Sequence, residues 1–377
     1  MKSNNDSSLP VINQRELNRA LLARQMLLQR ENISSMEAIE RFIGLQAQAV
    51  NPPYYALWNR LENFQQEHLA ELIIHKQVVR IALMRSTIHL VSTRDALALR
   101  PWIQPVLDRA LKGAYGKHIA GVDLQAAAAA GREILETAGP MTLSDLGKRL
   151  NEQWPTVDHD ALGAAVRNSV PLVQVPPRGL WGVSGQALHT TIEAWLGQSL
   201  SLGTVAEALL VRYLQAYGPA AVKDFQAWSG LTKLRDLFEH MRPRLILFQN
   251  EQGEELFDLP DAPRPDSSTE AAPRFLGEFD HILLSHADRT RIIDDSDRRR
   301  IITNNGLVKA SILVDGFVAG LWTIQERGNT AVLNIEPFHS LTSEQRQLLK
   351  DEGERLLRFA TDGALQFDIS FADQAND

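Results

Sequence analysis

The 377-residue sequence contains no cysteine, which excludes disulfides, a thiolate nucleophile and thiolate-ligated zinc. It has no apolar run approaching the roughly 20 residues needed to cross a bilayer. Its start, MKSNNDSSLP, lacks the apolar core of a secretory signal. These absences predict a cytoplasmic protein with no membrane partner. Familiar catalytic signatures are missing too. There is no glycine-rich phosphate loop, no histidine pair at helical spacing with a carboxylate, and no nucleophile elbow. The ten histidines are scattered, and neither a metal nor a cofactor is expected.

A basic excess is also lacking, since the formal net charge is -7, but the charge is unevenly spread. Residues 11–120 carry 14 Lys and Arg against 9 Asp and Glu. Residues 251–272 carry seven acids and one arginine, and residues 361–377 four acids and no base. Local potential rather than total charge steers a polyanion, so a phosphate-binding face is compatible with this balance. A mildly acidic enzyme with no nucleic-acid partner is equally compatible with charge alone.

What is present is a repeated layout. The length exceeds what one core sustains, so two to four domains are expected. After a disordered tail at 1–13, helical spacing begins at Gln14, and Ser34 with Glu37 forms a capping box for a second helix that should end near Asn51-Pro52-Pro53. Pro53 can open a third helix. Val78–Met84 and His89–Ser92 then read as a two-stranded ribbon, so residues 14–124 form a first winged helix. A second is expected over 125–199, with its wing strands at 172–175 and 180–183 around a turn at Pro176–Gly179. A third spans 200–260, opening at Gly218-Pro219 and closing on strands at 245–249 and 256–259. The recurrence is an internal-repeat signal. Residues 261–274 read as a linker. Beyond it the period changes to strands, with Asp315-Gly316 as a hairpin turn and a closing helix at 343–360. The fold class is thus α+β: three tandem winged helices, a β-barrel-like domain at 275–360, and a loose acidic tail at 361–377.

One polar pair stands out in an apolar setting, Gln46 and Gln48 within Ile43-Gly44-Leu45-Gln46-Ala47-Gln48-Ala49-Val50. In a continuous helix they would point about 200° apart, but in extended chain both face one side. They either cap backbone groups at a buried corner or form a reactive pair. Arg85 and His89 flank the first ribbon and serve either as DNA contacts or as fold-stabilising groups. Arg178 lies in the second wing turn, where wings meet phosphate.

Several separate blocks resemble the winged-helix family of AlkZ-like DNA glycosylases. They are Leu17–Gln25, Gly44–Gln48, Leu83–Val91, Pro176–Gly182, Phe279–Arg289 and Ile335–Phe338. The resemblance spans roughly residues 14–360 and implies a bacterial DNA-repair enzyme. Such an enzyme excises bulky N7-alkylated purines and unhooks interstrand crosslinks in double-stranded DNA. The family's reactive motif is Gln, an apolar residue, then Gln; the sister YcaQ-like branch has Asp in third place, so Gln48 points to the AlkZ-like branch. The resemblance makes Gln46 and Gln48 the catalytic pair. It also implies a DNA-approaching hairpin carrying Ser285, His286, Arg289 and Arg291. No Schiff-base lysine is implied, so the product should be an abasic site. Three unequal repeats in one chain suit a monomer wrapping a lesion. The competing reading is a non-catalytic winged-helix DNA-binding protein or transcription regulator, a class that usually forms symmetric dimers.

Overall fold

The computed structural model describes residues 9–201, 203, 205–304, 306–361 and 366–372. The chain begins with strand β1 (Val11–Ile12), α1 (Gln14–Arg24) and α2 (Ser35–Arg41). Next come β2 (Leu45–Gln46), α3 (Pro52–Arg60), α4 (Gln66–Ile74), β3 (Val78–Ala82) and β4 (Ile88–Ser92). The second stretch holds α5 (Thr93–Tyr115), α6 (Leu124–Ala138), α7 (Leu143–Leu150), α8 (His159–Ser169), β5 (Leu172–Gln174), β6 (His189–Thr191) and α9 (Ile192–Leu196). The third holds α10 (Ala206–Tyr217), α11 (Val222–Ser229), α12 (Arg235–Met241), β7 (Ile246–Asn250) and β8 (Glu255–Asp258). The remainder is β9 (Arg274–Leu276), α13 (Arg298–Ile301), β10 (Ser311–Val314), β11 (Phe317–Arg327), β12 (Thr330–Pro337), α14 (Ser343–Ala360) and β13 (Gln366–Phe371).

The architecture is mixed α+β, as expected. The capping box at Ser34 and Glu37 starts α2, and Pro52 and Pro53 open α3. Helix α2, however, stops at Arg41 rather than running to the prolines. Ile43 and Gly44 take φ of 59° and 90° and turn the chain into β2. Only glycine fits at 44, because a Cβ there would lie 2.2 Å from Val91 Cγ1 and 2.9 Å from the Leu90 carbonyl oxygen.

The ribbons at β3–β4 and β7–β8 form where the sequence places them, but the second wing does not. β5 pairs with β6 at 189–191, not with residues 180–183. Trp181, the anchor of the expected strand, instead packs on Tyr54, Tyr55 and Phe359, with ring centroids 5.2, 5.4 and 5.5 Å away. Its apolar surface is buried by aromatic contact, so no strand pairing is needed. β5 also pairs with β3, giving one five-stranded sheet in the order β2-β4-β3-β5-β6.

The C-terminal strands form a five-stranded sheet in the order β13-β12-β11-β10-β9. Among the described residues its edges β13 and β9 are not paired to each other, so the sheet is open and no barrel closes. β13 lies within the expected acidic tail. Phe367, Ile369 and Phe371 alternate with polar residues and add a parallel strand beside β12. At the other terminus, residues 1–8 of the expected disordered tail lie outside the described residues. Val11 and Ile12 pair in parallel with Gln249 and Asn250, burying Ile12 against Leu17 and Leu256.

The expected linker at 261–274 is strapped down by helix α1. Arg15 Nε donates to the Ser267 carbonyl at 2.7 Å, Arg19 Nε to the Thr269 carbonyl at 2.6 Å, and Arg24 Nε to the Pro263 carbonyl at 3.2 Å. Arg24 also forms a bidentate pair with Asp258 at 2.7 and 2.8 Å, and both side chains are wholly buried. Asp258→Ala leaves that guanidinium charged in the interior, which costs about 3–5 kcal/mol when one partner of a buried pair is lost. Urea unfolding should show it as a lowered midpoint; a loss below about 1 kcal/mol would mean the pair is not desolvated as described.

Candidate active site

Gln46 and Gln48 sit at the free edge of the first sheet. β2 is only two residues long, and its register sets Gln46 opposite His89 on β4. The Ala47 N–H then donates to the Ile88 carbonyl at 2.7 Å. Gln46 is 5% exposed, whereas Gln48 is open to solvent. Gln46 Oε1 accepts from Arg85 Nη2 at 2.7 Å, and Gln48 Oε1 accepts from the Ile88 N–H at 2.9 Å. Both glutamines therefore take their orientation from the β3–β4 hairpin.

The backbone between them is pinned from behind by Arg80, which sequence reasoning missed. Its Nη2 donates to the Ala47 carbonyl at 2.6 Å, with longer bonds of 3.4 Å to Ala49, and its Nε reaches Gln174 Oε1 at 3.2 Å. Among the described residues it has no carboxylate partner, and burial, reinforced by nearby Arg178, lowers its pKa to about 10. The signal was an arginine inside the apolar run Val78-Val79-Arg80-Ile81-Ala82.

Arg85 occupies the turn between β3 and β4 with a φ of 55°, followed by Ser86 at 59°. It donates to the Trp228 carbonyl as well as to Gln46. Its role is thus internal, and both terminal nitrogens are engaged by protein acceptors. His89 is 3% exposed, with Nδ1 on the Thr87 carbonyl at 3.0 Å. Burial, with the Arg85 charge adding to it, pushes its pKa down to about 3, so its ring is neutral.

The segment expected to be a DNA-approaching hairpin has no strand between Leu284 and Ile293. Ser285, His286 and Arg291 are interior fasteners, at 0%, 1% and 4% exposure. Ser285 Oγ donates to the His281 carbonyl, and the Ser285 carbonyl accepts from Tyr213 at 2.8 Å. His286 Nε2 meets the Tyr217 carbonyl at 2.9 Å, and Arg291 donates to the Pro219 carbonyl at 2.7 Å. All three thus bond within the protein interior. Arg289 is only half-buried, with Nε on the His286 carbonyl at 3.3 Å. Arg178 is half-buried in its turn, with Nη1 on the Gly185 carbonyl at 2.9 Å.

Behind the glutamines lies a buried polar layer. Arg60 and Asp280 pair at 2.8 Å, and His281 Nε2 bonds Gln25 Oε1 at 2.6 Å. Beside the motif opens a cleft of about 550 Å³. Its walls are Ala49 to Pro52, the turn holding Arg178 and Gly185, and the β11 residues Trp322 to Ile324, with Tyr55 between them. Neither glutamine lines it, but Ala49 follows Gln48 directly.

The sequence profile of the AlkZ-like DNA glycosylases matches residues 39–359. The chain is 23% identical over 339 residues to an interstrand DNA cross-link repair glycosylase of Streptomyces sahachiroi, covering 84% of this chain and 88% of that protein. Its fold superposes on the solved structure of Streptomyces sahachiroi DNA glycosylase AlkZ with a TM-score of 0.78 at 19% identity. That match covers 96% of this chain and all of the other. The protein is a DNA glycosylase, a hydrolase of N-glycosyl bonds acting on DNA. More particularly, it belongs to the AlkZ-like DNA glycosylase family, which sets aside the reading of a non-catalytic regulator. Among the described residues no helix is long and apolar enough to cross a membrane.

Four buried histidines, with His286 also held well below its ordinary pKa by burial, set a pH dependence. Burial pushes His89 and His281 to about 3 and His189 to about 4. As pH falls below about 6.5 the unfolded chain takes up protons that the folded chain refuses, so stability declines towards pH 4. His189→Gln should flatten that slope by up to about 1.4 kcal/mol per pH unit between pH 6.5 and 4. Urea midpoints at several pH values measure it, and an unchanged slope would mean that His189 protonates freely in the folded protein.

Proposed function

We propose that this enzyme hydrolyses the N-glycosidic bond of bulky N7-alkylated purines and unhooks interstrand crosslinks, leaving an abasic site. The observation that carries the reading is the chemistry of the pair at the sheet edge. Gln46 and Gln48 are neutral, and among the described residues no carboxylate is hydrogen-bonded to either. Neutral amides cannot protonate a leaving base. An N7-alkylated purine is already cationic and departs without an acid. What remains is to hold water near the sugar C1′ and to face the positive charge that develops there.

A glutamine carbonyl oxygen has two acceptor positions. In each glutamine one is taken by the protein, and the second is free for a water hydrogen. The bonds from Arg85 and Ile88 anchor each amide through its oxygen, and the carbonyl dipole lies against oxocarbenium character. Because Gln is no base, the pair positions and stabilises and does not abstract a proton. The similarity to an interstrand DNA cross-link repair glycosylase of Streptomyces sahachiroi supports the unhooking of crosslinks. The cleft beside Ala49 offers room for a substituent too large to be enclosed. We read the helix–ribbon units as three winged helices that let one chain wrap a duplex as a monomer. Arg178 and Arg289, half-buried members of the expected DNA-binding set that do not hold the glutamines, are the phosphate contacts in this reading.

Gln46→Ala or Gln48→Ala should slow single-turnover excision of an N7-alkylguanine by about 10²-fold or more, the scale seen when one preorganised polar group is lost. Affinity for undamaged duplex should hold, and N7-alkylguanine should be released where uracil or 8-oxoguanine is not. Wild-type rates in both variants, or efficient uracil release at neutral pH, would overturn the reading.

The cleft gives a separate test. Thr323 is an exposed wall residue of β11. Thr323→Trp should reduce excision of a bulky N7 adduct by about tenfold relative to N7-methylguanine, the size of a steric discrimination in a pocket. Equal effects on both lesions would place the bulk elsewhere.

A further inference from the structure

Arg85 is held in place by more than its bond to Gln46. Its backbone adopts a left-handed turn conformation that an L side chain rarely takes. Gly230, the C-cap of α11 with φ 82°, packs against that turn. A Cβ at 230 would lie 3.2 Å from both Arg85 Cα and Arg85 N. Nη1 reaches across to the Trp228 carbonyl at the end of α11, and Nη2 to Gln46 Oε1. Among the described residues Arg85 has no carboxylate partner.

A guanidinium only donates, so the Gln46 atom it meets must be oxygen. An amide turned over by 180° would set its NH2 group against the cation and lose a charge-assisted bond. The direction of the Gln46 amide is therefore fixed before DNA arrives. We infer that Arg85 is a positioning residue for the Gln46 amide, and that its bond to Trp228 ties that amide's orientation to the third helix–ribbon unit. The inference rests on Gln46 being reactive. It also gives Arg85 a different task from the DNA contact suggested by its place beside the ribbon. A phosphate contact would add to DNA affinity and to its salt dependence. A positioning residue instead acts on the chemical step through Gln46 alone.

The test is a double-mutant cycle in single-turnover excision of N7-alkylguanine duplex. Arg85→Ala should slow the step by about tenfold or more, and Arg85→Lys by less, since it keeps the charge but not the planar fork. In a Gln46→Ala background, Arg85→Ala should cost nothing further, because the group it orients is gone. Millimolar guanidinium ion should restore Arg85→Ala several-fold and leave Gln46→Ala unchanged. The slope of log affinity against log salt for undamaged duplex should match wild type. Should Arg85→Ala lose its cooperative melt, Arg85→Lys carries the same cycle.

Additive losses, a slope reduced by about one, or absence of guanidinium rescue in a folded Arg85→Ala protein would overturn the positioning role. If Gln46→Ala is slow while Arg85→Ala matches wild type, only the role of Arg85 falls. If Gln46→Ala itself excises at the wild-type rate, the reading of the glutamines falls and takes this one with it.

Discussion

The arrangement of this protein depends on hiding guanidinium groups. Arg19, Arg24, Arg60, Arg80 and Arg100 are all among its most completely buried large side chains. An ion moved out of water costs several kcal/mol unless its hydrogen-bonding positions are met. Most of those positions are met, many by groups far away in sequence, although Nε of Arg60 and of Arg100 has no hydrogen-bond partner among the described residues. Arg24 takes Asp258 and the Leu214 carbonyl, Arg60 takes Asp280, and Arg100 takes the Asn168 carbonyl. A desolvated fork that finds its acceptors in only one packing makes every other packing expensive. The units are thus locked by directional bonds as well as by apolar contact, and the second unit keeps a small core of its own around Leu146 and Leu162.

The same device shapes the sheet edge that carries Gln46 and Gln48, the proposed reactive pair. Arg80 spends its donors on the carbonyls of Ala47 and Ala49, so the residues that flank Gln48 cannot shift without stranding a charge. β2, with two residues and one neighbouring strand, would have little rigidity by itself. A catalytic group must be held near its productive geometry by supports that are themselves fixed, and here the supports are arginines whose own positions are over-determined. The buried polar layer behind them is kept neutral where it can be: His89 and His281 lie far below their ordinary pKa because burial disfavours the imidazolium. Asp280 is the exception. Burial alone would raise its pKa, but the paired Arg60 guanidinium outweighs that and lowers it.

Local signals were legible in the sequence wherever the chemistry is local. Ser34 with Glu37 and Asp315-Gly316 each act over a few residues and mark the boundary they suggest, while the prolines at 52 and 53 open α3 but do not set the end of α2. Gln46 and Gln48 were visible as polar residues in an apolar run, and the family pattern singled them out. What stayed hidden depends on distant partners. Ser285, His286 and Arg291 read as a polar surface segment, yet their bonds go to His281 and to Tyr217 and Pro219, some seventy residues earlier in the latter two cases. Trp181 completes an aromatic cluster with Phe359 from the far end of the chain, so its run of apolar residues mimics a strand. β2 is too short to have a period, and β13 was masked by the acids around it.

A site of oriented amides also explains why bulk and selectivity need not conflict. General acid catalysis of base departure is typically worth 10²–10⁴-fold, and a glycosylase that uses it must bring an acid within hydrogen-bond reach of the base. That demands an enclosing pocket and limits what the base can carry. An enzyme that leaves protonation to the lesion's own N7 alkylation gives up that factor, and with it the need to surround the base. Its supports can then all lie on one side, as Arg85 and Ile88 of the β3–β4 hairpin do for the glutamines in the proposed reading. Discrimination passes from the shape of the base to its charge, since only a cationic purine leaves fast enough for a positioned water to matter. On the proposed reading, an open sheet edge beside a cleft is then sufficient architecture for unhooking a base still tethered to the opposite strand.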